Sequence, residues 1–157
     1  MARLEQIAMR LEVKEGKNGC VLINDSYNSD LASLDIALDF MSRRSDDKGK
    51  KRTLILSDML ETGQSSKLLY RQVAELVHSR GVEKIVGVGE EIRTAAARFE
   101  IEKYFFRTTE ELLESDLLAG LRNEVILVKG SRAFHFDRIS DRLELKVHET
   151  ILEINLN

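Results

Sequence analysis

Residues 53–63 read Thr-Leu-Ile-Leu-Ser-Asp-Met-Leu-Glu-Thr-Gly. An apolar run of strand length stops at polar residues and then a glycine. The same figure recurs along the chain. Residues 20–24 read Cys-Val-Leu-Ile-Asn and lead into Asp25, residues 84–88 read Lys-Ile-Val-Gly-Val, and residues 124–129 read Glu-Val-Ile-Leu-Val-Lys before Gly130. Residues 103–106, Lys-Tyr-Phe-Phe, form a weaker fifth run. These runs are continuous rather than alternating and rich in β-branched side chains, which suits strands buried on both faces.

Helical spacing fills the intervals. Leu34, Ala37, Leu38 and Met41 share one helical face, and so do Leu69, Val73, Leu76 and Val77. Thr108 and Glu111 have capping-box spacing ahead of Leu112 and Leu113. Phe136, Ile139 and Leu143 form a face after the last strand. Strand and helix therefore alternate five times. Ahead of them, residues 9–13 alternate and lead through Glu-Gly-Lys-Asn-Gly at 15–19, a hairpin signal. The expected fold is α/β: a Rossmann-like, mostly parallel sheet of about six strands, helices on both faces, and one antiparallel edge strand.

Composition narrows the function classes. Of 157 residues, 43% are hydrophobic and 32% charged, the balance of a soluble single domain. No apolar run approaches the roughly 18–20 residues a membrane span needs. The opening residues lack an apolar signal core, so a cytoplasmic protein is expected. A net charge of −3 gives no general attraction to nucleic acid or anionic membrane. The basic cluster Arg43, Arg44, Lys48, Lys50, Lys51 and Arg52 has no interleaved aromatics and reads as a solvated loop. The single cysteine, Cys20, excludes an intrachain disulfide and reads as core. His78, His135 and His148 show no metal-ligand spacing, and no metal site is expected. Gly87-Val88-Gly89 opens like a dinucleotide fingerprint, but Ile92 stands at the third glycine, so a tight turn is expected there.

In an open parallel sheet, ligands gather beyond the carboxyl ends of the strands. Three polar clusters fall at such ends. Asp25-Ser26-Tyr27-Asn28 offers acceptors for ribose hydroxyls and a ring that can stack, or else a helix cap from Ser29 or Asp30. Residues 57–63 carry Asp58 and Glu61, which suit a cation or polar ligand, or a solvated loop. Lys129-Gly130-Ser131-Arg132 sets two cations at a helix start, which favours a bound anion.

In this order the clusters resemble the carboxy-terminal domain of the Mur ligases, of the D-alanyl-D-alanine-adding type. That family shows an Asp-Ser-Tyr-Asn-Ala-Asn-Pro segment, a Gly-Asp-Met-x-Glu-Leu-Gly segment and a Lys-Gly-Ser-Arg segment. Three modest motifs in the right order, across roughly residues 8–145, make a specific signal. The chain departs from the pattern at Ser57 (usually Gly), Thr62 (usually Leu), Asp30-Leu31 (usually Asn-Pro) and Tyr70 (commonly His).

The resemblance implies an ATP-dependent amide ligation in peptidoglycan synthesis. The carboxylate of UDP-MurNAc-tripeptide becomes an acyl phosphate, which the amine of D-Ala-D-Ala attacks. It also implies that N-terminal and central domains of the same chain precede this one. The central domain would hold the P-loop, magnesium and most of the ATP, so no catalytic residue is expected here. Asp25, Tyr27 and Asn28 would face ATP, with Asp25 toward the ribose. Lys129, Ser131 and Arg132 would face the dipeptide carboxylate or the phosphates. Residues 146–157 resemble the opening of a PLP-dependent alanine racemase, implying a fused racemase after a ligase domain at 1–145. Two alternatives stay open: a phosphorylated receiver domain, whose acid–acid–lysine layout Asp25, Asp58 and Lys129 imitate, and a free-standing nucleotide-binding module.

Overall fold

A computed structural model describes residues 11–25, 30–44, 49–59 and 63–146. Six strands form one sheet: β1 (Leu11–Glu15), β2 (Val21–Asp25), β3 (Lys51–Ser57), β4 (Lys84–Val88), β5 (Glu102–Phe106) and β6 (Glu124–Lys129), in the spatial order β1-β2-β6-β3-β4-β5. β1 runs antiparallel to β2, and every other pairing is parallel. The expected architecture is therefore the observed one, including the antiparallel edge. A tight turn over Lys17–Gly19 joins β1 to β2, with Asn18 at φ 57° and Gly19 at φ 76°. Left-handed backbone of this kind is where asparagine and glycine are tolerated.

The helices are α1 (Leu31–Ser42), α2 (Ser66–Ser79), α3 (Glu90–Thr94), α4 (Thr109–Glu114) and α5 (Asp137–Leu143). Asp30 caps α1: its Oδ1 accepts from Ser33 N–H at 2.8 Å, while its own N–H donates to Ser33 Oγ at 3.3 Å. Thr108 caps α4 through Glu111 N–H at 3.1 Å. The Glu111 carboxylate reaches back one residue further than a capping box requires, to Arg107 N–H at 2.7 Å.

The inner strands β2, β6, β3 and β4 are buried on both faces because alternate residues serve two cores. Ile23, Leu54, Leu56, Val125 and Leu127 pack with Leu34, Leu38, Val73 and Val77 of α1 and α2. Leu22, Ile55, Val86, Ile126 and Val128 pack on the other side with Leu112, Phe136, Ile139 and Leu143. Cys20 lies in this second core, as its apolar context implies. The chain then returns to the sheet edge, where Leu145 N–H donates to Glu15 O at 2.9 Å. Residues 147–157, on which most of the racemase resemblance falls, lie outside the described residues.

The basic cluster is tied into the fold more than a solvated loop would be. Lys50 Nζ donates to Gly19 O and to Asn123 Oδ1, and Lys51 pairs with Glu102. Lys48 lies outside the described residues.

At the amino ends of the strands, charges are set in a row. Lys84 on β4 pairs with Glu124 on β6 at 3.1 Å, both nearly buried, and Thr53 Oγ1 donates to the same carboxylate. Glu102 on β5 is held below the usual carboxylate range, first by the Tyr104 hydroxyl and then by Lys51. Removing one partner of a buried pair leaves the other charge uncompensated. Lys84→Met should therefore lower unfolding stability by about 3–5 kcal/mol, measured by urea denaturation. Arg138→Met, which breaks only the exposed pair with Glu110, should hardly move the midpoint. Equal effects would mean the buried row does not stabilise the sheet.

Candidate functional site

The order β2-β6-β3 puts the three polar clusters at neighbouring strand ends, although they lie far apart in sequence. Asp25 and Lys129 are cross-strand partners in the β2–β6 ladder. Lys129 Nζ donates to Asp25 Oδ2 at 2.8 Å, and the two side chains are 0% and 6% exposed. Each of these two candidate site residues thus has the other as a partner within the fold. An ammonium with no access to water needs a carboxylate beside it, and β2 supplies one.

The link from β3 to β6 runs through Ser57, which is fully buried. Ser131 N–H donates to Ser57 Oγ at 2.9 Å, and the Ser57 hydroxyl donates to Asp58 O at 2.8 Å. The hydroxyl that departs from the family's usual glycine thus has two partners. Ser131 is 4% exposed, and its own Oγ has no hydrogen-bond partner among the described residues. Gly130 has no space for a side chain, because a Cβ would stand 2.4 Å from the Phe136 ring.

Arg132 is exposed and begins a short turn over Arg132–Phe134. Its side chain has no ion pair or hydrogen bond among the described residues. α5 starts only at Asp137, so the expected helix start directly after Ser131 is replaced by this turn. His135, at φ 53°, is exposed beside it, in keeping with a surface role.

Asp58 does not point into an open cation site. Its Oδ1 accepts from Ile92 N–H at 2.8 Å and its Oδ2 from Glu91 N–H at 3.3 Å, which caps α3. Gly89 makes that contact feasible: at φ 136°, it would place a Cβ 2.3 Å from the Asp58 carboxyl group. The Gly87-Val88-Gly89 stretch is thus a tight strand-to-helix turn, as expected. A receiver layout is not realised either, since Lys129 pairs with Asp25 and Asp58 is occupied as a cap.

Tyr70, another departure from the family pattern, is 1% exposed, and its hydroxyl accepts from Met59 N–H at 3.0 Å. Burial pushes its phenol above the ordinary value, with Asp58 and Glu91 adding to the effect and the Met59 bond opposing it. Ser57 and Tyr70 were visible in the sequence only as departures from the motif. Their partners lie on other segments, so local reading gave them no role. Tyr27, Asn28 and Glu61 lie outside the described residues, and Asp25, Asp58, Lys129, Ser131 and Arg132 are within them.

Residues 9–132 match the family described as Mur ligase, glutamate ligase domain. The UDP-N-acetylmuramoyl-tripeptide--D-alanyl-D-alanine ligase of Escherichia coli (strain K12) is 25% identical over 145 residues, which is 92% of this chain and 31% of that protein. The enzyme of the same name from Rickettsia prowazekii (strain Madrid E) is 32% identical over 122 residues, 76% of this chain and 26% of that protein. The chain thus spans less than a third of the length of these curated relatives. Among solved structures, MurF ligase from Thermotoga maritima in complex with ADP superposes with a TM-score of 0.64 at 20% identity, over 84% of this chain and 29% of that one. MurF from Acinetobacter baumannii gives 0.63 at 21% identity, over 85% and 29%. At these identities the superpositions speak for the fold.

Two outcomes test this geometry. Lys129→Met should cost about 3–5 kcal/mol by removing the ammonium that faces the buried Asp25 carboxylate, and the double variant Asp25→Leu/Lys129→Met should recover much of it. Additive losses in denaturant titrations would refute the pair. Tyr70→Phe should cost about 1–3 kcal/mol by orphaning Met59 N–H. The raised Tyr70 value stabilises fully below the unfolded tyrosine value of about 10 and is lost as pH rises above it. The loss of stability on going alkaline should therefore be shallower in Tyr70→Phe than in wild type.

Proposed function

The chain belongs to the Mur ligase family by its glutamate ligase domain, and from that premise we propose that it is the carboxy-terminal domain of a cytoplasmic, ATP-dependent ligase joining D-Ala-D-Ala to UDP-MurNAc-tripeptide. The observation that carries the proposal is the convergence of Asp25, Ser57 and the Lys129–Arg132 turn at the carboxyl ends of β2, β3 and β6. The names of the curated relatives support the choice of reaction.

Asp25, Tyr27 and Asn28 take the ATP side, with Asp25 toward the ribose. Ser131 and Arg132 take the dipeptide side. The exposed Arg132 guanidinium, without a partner among the described residues, suits a bidentate grip on a carboxylate, and the buried Ser131 hydroxyl adds a donor next to it in the chain. Lys129 serves the same face through its pair with Asp25, which holds the ends of β2 and β6 together beside Ser131 and Arg132. Asp58 and Glu61 belong to the connecting loop, where Asp58 holds α3 in place.

Among the described residues, no group of three or more His, Cys, Asp or Glu converges. The magnesium, the P-loop and the phosphorylation of the tripeptide carboxylate are assigned to the N-terminal and central domains of a longer chain. This domain's part is to bind, orient and exclude water from a hydrolysable acyl phosphate, which domain closure over the site accomplishes. No helix among the described residues is long and apolar enough to cross a membrane. The resemblance at residues 146–157 extends the proposal to an alanine racemase following in the same chain, which would supply D-Ala for the dipeptide.

The intact parent chain, given ATP, UDP-MurNAc-tripeptide and D-Ala-D-Ala, should yield the pentapeptide by mass spectrometry, and residues 1–157 alone should not. Tight ATP binding by residues 1–157 alone, with no ligation by the parent, would favour the free-standing nucleotide-binding module. Arg132→Ala in the parent should cut kcat/KM for the dipeptide by about ten- to a hundredfold, as expected for a lost hydrogen bond to a charged group. Its thermal midpoint should stay nearly unchanged. Unaltered kinetics would remove Arg132 from the site.

A further inference from the structure

Resting on that functional reading, we infer that Ser57 is a positioning residue that aims the Ser131 hydroxyl at the carboxylate of the incoming dipeptide. Ser57 is the last residue of β3 and is fully buried between β6 and β4. A serine hydroxyl has one proton and two acceptor lone pairs. Here the proton goes to Asp58 O at 2.8 Å, which sets the rotor. A lone pair is then directed at Ser131 N–H, 2.9 Å away.

That amide lies beyond the end of β6 at Lys129, so the strand ladder does not hold it. The Ser57 hydroxyl takes over at the residue where the chain leaves the sheet. Gly130 is pinned just before it by the Phe136 ring. The backbone of Ser131 is thereby fixed from two sides, while its side-chain hydroxyl is buried with no partner among the described residues. A buried hydroxyl without a partner costs free energy, and a ligand acceptor would relieve that cost. The two serines therefore form a relay of position. Asp58 O orients Ser57, Ser57 holds Ser131 N–H, and Ser131 Oγ faces the ligand. Ser57 itself touches no substrate.

The test is a double-mutant cycle in the intact parent enzyme, with each Michaelis constant read separately. Ser57→Ala should raise KM for D-Ala-D-Ala about tenfold, the equivalent of one hydrogen bond. KM for ATP and for UDP-MurNAc-tripeptide should stay within about twofold. Ser131→Ala should do the same, and the double variant should be no worse than Ser131→Ala alone, because both act through one hydroxyl. Ser57→Cys keeps the size but weakens the acceptor. It should give an intermediate rise, and it carries the test should the alanine form fail to fold. Additive effects, a parallel shift of all three constants, or no shift in either Ser57 variant would overturn the inference while leaving the ligase reading intact. A wild-type parent that joins no dipeptide would overturn both.

Discussion

A lysine sealed from water dictates much of what surrounds it. Lys129 is fully buried at the end of β6, and only a carboxylate at ion-pair distance makes that position tolerable. Asp25 meets the need because β2 lies beside β6 in parallel register, with Asp25 opposite Lys129. The pair thus couples electrostatics to strand order: a slip of one residue would turn one of the two charges toward an apolar core. Ser57 and Ser131 repeat the coupling on the other flank of β6, with uncharged groups. The strand ends are therefore held by polar contacts on both sides of β6, which is how a site assembled from distant segments keeps a fixed geometry.

The parts of this architecture legible in the sequence are those set by local physics. Four continuous apolar runs announced β2, β3, β4 and β6 because strands covered on both faces have no polar side to show. The weaker run announced β5, an edge strand whose first three residues are exposed. Leu34, Leu38, Val73 and Val77 fell on the buried faces of their helices as their spacing required. The cap at Asp30 was one of two candidates, and its reciprocal bond with Ser33 distinguishes it.

The partnerships across segments were not legible. Nothing near Lys129 in sequence says that its neighbour is Asp25, since that depends on β6 entering between β2 and β3. Asp58 looked like a ligand because its loop is polar. Its capping of α3 depends on Gly89, 31 positions on, leaving space for the carboxylate. Ser57 and Tyr70 drew notice only as deviations from a motif, yet each satisfies a backbone N–H that would otherwise be stranded. Motif reading finds where a site lies. Which of its residues face a ligand and which hold their neighbours is decided by tertiary hydrogen bonding.

The place of β6 also bears on how the chain acquires its shape. Apart from the edge contacts of β1, every strand up to β5 is made before β6, and until then the sheet exists only as two fragments, β1–β2 and β3–β4–β5. The contacts that join them span separations such as the 104 residues between Asp25 and Lys129, the kind of non-local closure that slows folding. During synthesis the facing edges of β2 and β3 stand open, and unpaired edges are where strands from other chains add on. The strand that completes the site is thus also the one that shields the nascent sheet from aggregation.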